Sequence, residues 1–213
     1  MTLESSKTLG GIGAILMFVG IIPYISTYGI VELVGLILVL VGLHGLGTYY
    51  REGGIFRNAM YGVAAGIVGV VIAAVTVFVV VLSNITDLIT QLYPGWTPGD
   101  WASLQGMTPN TSNLDPTALF PFIAGILVVF VILWVFAIIA TFFMRRSFKQ
   151  VSNKSTVGLF GTAGLLLLIG AFLTIVLIGF ILIWIAVLLV AIAFFMLKPG
   201  ESITSQQPAP PAV

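Results

Sequence analysis

The chain has 213 residues, of which 59% are hydrophobic and only 7% are charged, and its formal net charge is +1. About a quarter of the residues in a soluble domain are charged, so this composition excludes a water-facing globular surface. The absence of cysteine excludes disulfide bonds, thiolate metal sites and cysteine nucleophiles.

Six apolar stretches are each long enough to cross the hydrocarbon core of a bilayer, which takes about 20 helical residues. The stretches are apolar on every face, whereas the strands of a membrane barrel alternate apolar and polar residues. Backbone in lipid must satisfy its own hydrogen bonds, so the stretches are predicted to be helices. The sequence therefore predicts an all-α polytopic membrane bundle within residues 1–198, with six transmembrane helices at residues 9–25, 29–50, 58–82, 118–144, 156–174 and 179–197.

The second span follows a tight turn at residues 26–28 and holds two polar candidates, Glu32 and His44. Glu32 is either an interfacial carboxylate near the start of a helix or a proton or cation site that faces the bundle. His44 lies about 18 Å further along the helix, so the two side chains cannot touch. A lone histidine forms no metal site. His44 is either a polar residue that lies near the inner interface or bonds to a neighbouring helix, or a group for proton relay or pH sensing.

The third span carries a row of small residues on one helical face. Their spacing alternates between three and four residues, and the row includes a GxxxG pair at Gly62 and Gly66. Small residues let helix backbones approach closely, which holds helices together in lipid. The row predicts packing within the chain, and the alternatives are a homo-oligomer interface or a sliding surface. Gly66→Leu is then expected to disrupt assembly. Its members are Ala59, Gly62, Gly66, Gly69 and Ala73; shorter glycine rows are Gly10, Gly13 and Gly20 in the first span and Gly35, Gly42 and Gly45 in the second.

Residues 83–117 are predicted to form an external segment, with three aspartates and no lysine or arginine. Prolines and glycines predict irregular structure there, although residues 84–92 can extend the preceding helix. Trp96 and Trp101 indicate a cap at the headgroup level, and the alternative is a lid that attracts a cation or a partner. Asn110 begins an Asn-Thr-Ser pattern, which is an acceptor pattern for N-glycosylation.

The basic residues can all be placed on one side of the predicted bundle: Lys7, Arg51, Arg57, Arg145, Arg146, Lys149, Lys154 and Lys198. Cytoplasmic loops are enriched in such cations, so both termini are predicted to be cytoplasmic. Residues 51–57 and 145–154 are predicted inner loops, whose cations either set the topology or attract anionic headgroups. Residues 199–213 are predicted to be a disordered, proline-rich cytoplasmic tail.

Residues 156–197 form a single apolar run, which would be about 63 Å long as one helix. The run is therefore predicted to fold back as two spans, with the turn near Thr174 and Gly179, and a re-entrant segment is the alternative. At an offset of 150 residues this hairpin matches the first one, including Gly29 with Gly179. The match indicates either a parallel repeat of helices 1–2 and 5–6 or chance similarity between apolar sequences.

Candidate catalytic residues do not group in this sequence, because no Ser/His/Asp set can be placed in one site. The protein is therefore not expected to be an enzyme or to carry a cofactor, and no basic cluster with aromatics indicates nucleic acid binding. Two classes remain. The first is a structural or accessory membrane protein that packs in the bilayer against other membrane proteins or against itself. The second is a small transporter or channel with a site near Glu32 and His44.

Two segments carry a resemblance to a known family. They are the opening run Glu4-Ser-Ser-Lys-Thr-Leu-Gly-Gly-Ile-Gly13, which leads into an apolar helix, and the terminal hairpin with Ile178-Gly-Phe180 and Trp184. Both resemble a family of uncharacterised archaeal and bacterial multi-pass membrane proteins. The resemblance implies a prokaryotic plasma membrane and brings no activity, substrate or site residue.

Overall fold

The computed structural model describes residues 2–20, 29–113 and 115–198. Within them the chain is all-helical and has no strand, with six α-helices: α1 Leu3–Gly20, α2 Ile30–Tyr49, α3 Gly53–Leu92, α4 Phe120–Ser155, α5 Leu159–Leu173 and α6 Ile178–Phe195. Five helical segments of this part of the chain, beginning with α2, are long and apolar enough to cross a membrane. The end of the predicted first span, the turn at 26–28 and the tail at 199–213 lie outside the described residues.

The chain divides into two compact units, one formed by Met1–Gly62 with Thr141–Val213 and the other by Val63–Ala140. In the first unit α1 packs on α2 and on α6, and α5 packs on α6. A Cβ atom on Gly13 would lie 2.6 Å from the Gly35 carbonyl oxygen, and one on Gly42 would lie 2.7 Å from the Cα atom of Gly10. The glycine rows predicted on the first two spans therefore pack against each other within the chain.

The core of the first unit joins α4, α5 and α6 through three phenylalanines. The Phe148 and Phe160 ring centroids are 6.1 Å apart, and those of Phe160 and Phe194 are 5.1 Å apart. Gly10 of α1 lies so close to the Phe194 ring that a side chain would not fit there. The same buried cluster includes Leu3, Ile55, Val151, Val157 and Leu197. It therefore gathers the start of α1, the start of α3, the end of α4 and the second residue after α6.

In the second unit α3 packs on α4 through glycines. A Cβ atom on Gly69 of α3 would collide with the Phe136 side chain of α4. A Cβ atom on Gly125 of α4 would lie 2.7 Å from a methyl carbon of Val80 on α3. Each glycine thus receives a bulky side chain of the other helix, which brings the two backbones close together.

The connection between α3 and α4 is irregular, as predicted, and α3 extends to Leu92 before it begins. Trp96 is buried, and its indole N–H donates to the Asp100 carbonyl oxygen at 2.7 Å. The Trp101 ring lies 5.2 Å from the Trp96 ring and is exposed. Gly95 and Gly99 have φ angles of 96° and 101°, which glycine adopts without strain. Two turns therefore fold this segment around Trp96.

Two segments predicted as inner loops are helical, so those predictions were wrong. At 51–57, α3 already begins at Gly53, and at 145–154, α4 continues to Ser155. The reason is a buried helical face: Ser147, Phe148 and Val151 recur at helical spacing and are buried, while neighbouring cations stay exposed. The high charge of the segment conceals this period in the sequence.

The turn between α5 and α6 lies at residues 174–177, close to the predicted position. It consists of a 3-10 turn at Thr174–Val176 and of Leu177, whose φ angle is 64°. Gly179 lies within α6, where a Cβ atom would collide with the Gly170 carbonyl oxygen, so it serves close helix packing. Among the described residues of the first hairpin, Gly29 has a left-handed φ angle of 73°, and it lies 148 residues before Leu177 rather than 150. The parallel repeat stays a prediction.

Candidate functional site

Glu32 lies in the first turn of α2, against the end of α1. A Cβ atom on Gly20 would be 2.8 Å from the carboxyl carbon of Glu32, so glycine at the end of α1 makes room for this side chain. The side chain is half-buried. A carboxylate here interacts favourably with the partial positive charge of the α2 N-terminus. Both interpretations of Glu32 stay predictions.

His44 lies near the other end of α2 and is exposed. Its ring contacts Phe56 of α3 edge to face, with the ring centroids 4.7 Å apart. Glu32 and His44 lie on one helix, about 18 Å apart along its axis, so the structure does not bring them into one site. The contact with Phe56 agrees with a residue that packs on a neighbouring helix near its end.

The row of small residues on α3 follows the buried face of that helix, with one exception. Ala59 and Gly62 in the first unit are buried, as are Gly69 and Ala73 in the second. A Cβ atom on Gly66 would have no atom of the described chain within 4 Å. Four members of the row therefore pack within the chain, and the space beside Gly66 is open.

Asn110 lies in the connection between α3 and α4. Its backbone N–H donates to the Leu92 carbonyl oxygen at 2.7 Å, which ties the connection to the end of α3. Its side-chain oxygen accepts from the Ser112 backbone N–H at 3.0 Å. The asparagine thus shapes a local turn, and its glycosylation stays a prediction.

A polar cleft with a volume of about 300 Å³ opens between the start of α3 and the end of α4, lined by Asn58, Arg146, Lys149, Gln150 and Asn153. The Asn58 amide donates to the Gln150 side-chain oxygen at 3.2 Å. Gly54 makes room for Gln150, because a Cβ atom on that glycine would lie 2.7 Å from its side-chain nitrogen. The cleft thus combines two cations with three amide side chains.

A second groove, of about 190 Å³, is lined by Phe142, Arg145, Arg146 and Lys149. The Arg146 guanidinium lies 4.6 Å from the centre of the exposed Phe142 ring, in cation–π geometry. The two cavities share Arg146 and Lys149. A polar cleft and a partly apolar groove therefore meet at the same two cations.

Sequence reasoning identified the cations of this region but missed the amides that accompany them. Arg146, Lys149, Gln150 and Asn153 are spaced as i, i+3, i+4 and i+7, which places them on one helical face. That spacing was the signal available in the sequence. Asn58 carried no such signal, because only the packing of α3 on α4 brings it to the cleft.

Comparison with known proteins identifies the family. Residues 31–188 match DUF996, which is described as a protein of unknown function. The chain belongs to the DUF996 family. The uncharacterized protein MJ1644 of Methanocaldococcus jannaschii is 30% identical over 197 residues, which cover 92% of this chain and 94% of that relative. No solved structure matches the chain.

The resemblance to a family of uncharacterised proteins is thereby confirmed. The DUF996 match includes Glu32, His44, the small-residue row of α3 and the polar cleft, and it ends within α6. The opening run of the chain lies before the matched residues. Membership of the DUF996 family does not assign an activity to this chain.

Proposed function

We propose that the protein is an integral protein of the plasma membrane and acts as a structural or accessory subunit, by helix packing and without enzymatic activity. The main support for this proposal is that its apolar helices are buried to different extents. Within the most apolar 18 residues of each, 39% are buried in α2 and α6, against 11% in α3 and 6% in Pro116–Ser155. Two long apolar helices therefore present most of their side chains to their surroundings.

The surface of these two helices has the features of a helix-packing site. A groove of about 250 Å³ in the second unit is lined by Val77, Val80, Val81, Phe122, Gly125, Ile126 and Val129. Leucine-like side chains gain nothing from leaving lipid, so association in a bilayer depends on shape and on small residues. Gly66 supplies a small residue with open space beside it, and the groove supplies the shape, which supports a partner helix rather than lipid alone.

We further propose that both termini are cytoplasmic. In the first unit, Lys154 at the end of α4 forms an ion pair with Glu52, which precedes α3, at 3.5 Å. Leu3 and Leu197, near the two ends of the chain, belong to one core cluster with Ile55 and Val151. Segments that carry the cations thus lie together, and such segments face the cytoplasm in membrane proteins.

Site-specific photocrosslinking in native membranes tests the accessory role. A photoreactive phenylalanine analogue replaces Phe78, an exposed residue of α3, and the matched control replaces Phe180, an exposed residue of α6. We expect irradiation to give one discrete protein adduct at position 78 and lipid adducts alone at position 180. Mass spectrometry of each adduct identifies the partner, which is either another membrane protein or a second copy of this chain.

Two outcomes contradict the proposal. Lipid adducts alone at position 78, with no protein recovered in mild detergent, mean that the chain works without a partner on this face. A discrete protein adduct at position 180 alone means that α3 and α4 do not form the interface.

A further inference from the structure

The cleft at the end of α4 presents charge of one sign. The five residues that line it include two cations and no carboxylate. The nearby cation Lys154 is paired with Glu52 and does not line the cleft. Arginine binds a phosphate through two parallel N–H groups, lysine acts as a compact point charge, and amides donate further hydrogen bonds. This donor set fits a phosphate group.

The walls of the cleft are held in place by contacts between α3 and α4. The buried Ser147 hydroxyl donates to the Ile55 carbonyl oxygen at 2.7 Å. Asn58 donates to the side-chain oxygen of Gln150, so the amide nitrogen of Gln150 is the atom that can donate to a ligand. A site whose donors are already positioned loses less conformational entropy on binding than one built from free side chains.

The adjoining groove decides which phosphate compound fits. It shares Arg146 and Lys149 with the cleft and extends to the ring of Phe142, one turn of α4 before Arg146. Apart from Thr141, the residues of α4 that precede Phe142 are apolar back to Phe120. A molecule that fills both cavities therefore needs an anionic phosphate next to an apolar chain, which is the chemistry of an anionic phospholipid.

We propose that this part of the chain is a binding site for the phosphate of an anionic phospholipid. Arg146 and Lys149 hold the phosphate, Asn58, Gln150 and Asn153 bond the headgroup, and Phe142 contacts the start of the acyl or ether-linked chain. The cytoplasmic surface of membranes is rich in anionic lipids, so the proposed orientation brings the cleft to them. The site does not depend on the proposed accessory role.

Lipid retention by the full chain tests this site. The protein in mild detergent is titrated with phosphatidylglycerol, with phosphatidylcholine and with inorganic phosphate, and bound molecules are counted by native mass spectrometry. We expect preferential retention of phosphatidylglycerol, and a loss of about tenfold in Arg146→Gln/Lys149→Gln, because both phosphate-binding cations are gone. The charge-matched control Arg57→Gln/Lys198→Gln alters two exposed cations that line neither cavity, and it should keep wild-type retention.

A further variant separates lipid from free phosphate. Phe142→Ala should lower phosphatidylglycerol retention and leave any binding of inorganic phosphate unchanged. If inorganic phosphate binds at the two cations and phosphatidylglycerol is retained no better than phosphatidylcholine, the site takes free phosphate and the lipid assignment is wrong. If the control double variant loses as much lipid as the cleft variant, the attraction is diffuse and the site does not exist. Thermal unfolding of each variant verifies that all of them are folded.

Discussion

Individual glycines determine how closely the helices of the first unit approach. Gly13 and Gly35 lie backbone to backbone, and a Cβ atom on either would lie 2.6 Å from the carbonyl oxygen of the other. Gly170 of α5 and Gly179 of α6 likewise lie backbone to backbone. A backbone atom cannot move aside as a flexible side chain can, so any side chain at these four positions forces the helices apart.

Asp115 gives a prediction at the scale of one residue. Its carboxylate accepts a hydrogen bond from the Thr117 backbone N–H at 2.9 Å, in the turn that precedes α4. Hydrogen bonds from the Thr117 side chain and backbone lower the pKa of Asp115 below its ordinary value. Because the folded pKa is lowered, the stabilisation of this turn is complete above the ordinary aspartate pKa and is lost as the pH falls through the lowered value.

We therefore expect the protection factor of the Thr117 amide, which compares its exchange with the intrinsic rate at the same pH, to fall on acidification through that range. Asp115→Asn cannot ionise and should show no such fall. Hydrogen exchange measured at the Thr117 amide in the wild type and in Asp115→Asn tests this prediction. Titration of the Asp115 carboxyl group at or above the usual aspartate pKa would contradict the hydrogen-bond assignment.

At the scale of a secondary-structure element, α3 combines two kinds of surface along one helix. Its 40 residues would extend about 60 Å, twice the thickness of the hydrocarbon core. Its row of small residues is buried except at Gly66, and much of the rest of its apolar surface is exposed. The element therefore packs within the chain along one face and offers the other to lipid or to a partner.

Two glycines of this row form a matched pair for mutation. Gly69→Leu should lower the free energy of unfolding by about 1–3 kcal/mol, because the new side chain collides with Phe136. A Cβ atom on Gly66 would meet no atom within 4 Å, so Gly66→Leu should change the free energy of unfolding by less than about 0.5 kcal/mol. Thermal unfolding in detergent compares them, and chromatography with light scattering reports whether Gly66→Leu changes the oligomeric state. Equal destabilisation by both substitutions would show that the row does not pack as described.

At the scale of the whole molecule, the distribution of charge gives the membrane topology that we propose. The chain contains no cysteine, so a single introduced cysteine reports on one position without background. Ser103 is exposed in the connection between α3 and α4, and Gly158 is exposed between α4 and α5, with open space for a side chain. In the chain, Ser103 precedes α4 and Gly158 follows it.

In intact cells, a membrane-impermeant maleimide should label Ser103→Cys and should label Gly158→Cys only after lysis. Equal labelling of both variants in detergent is the control. The reverse pattern in intact cells would invert the topology, and labelling of both without lysis would mean that α4 does not cross the membrane.

The sequence by itself determined the helical class and the approximate positions of the apolar helices, because length and hydropathy are properties of the chain. Its opening run and terminal hairpin carried the resemblance to the family. It also located the glycine rows, since a row needs only a helical period. Tertiary structure decided where each row packs: Gly13 against Gly35, Gly69 against Phe136, and Gly66 against nothing in the described chain. It also decided that residues 145–154 are helical and that Asn58 joins Arg146, Lys149 and Gln150 in a cleft. These features depend on contacts between residues that are 22 positions apart at Gly13 and Gly35, 67 at Gly69 and Phe136, and 92 at Asn58 and Gln150. No local period in the sequence encodes such contacts.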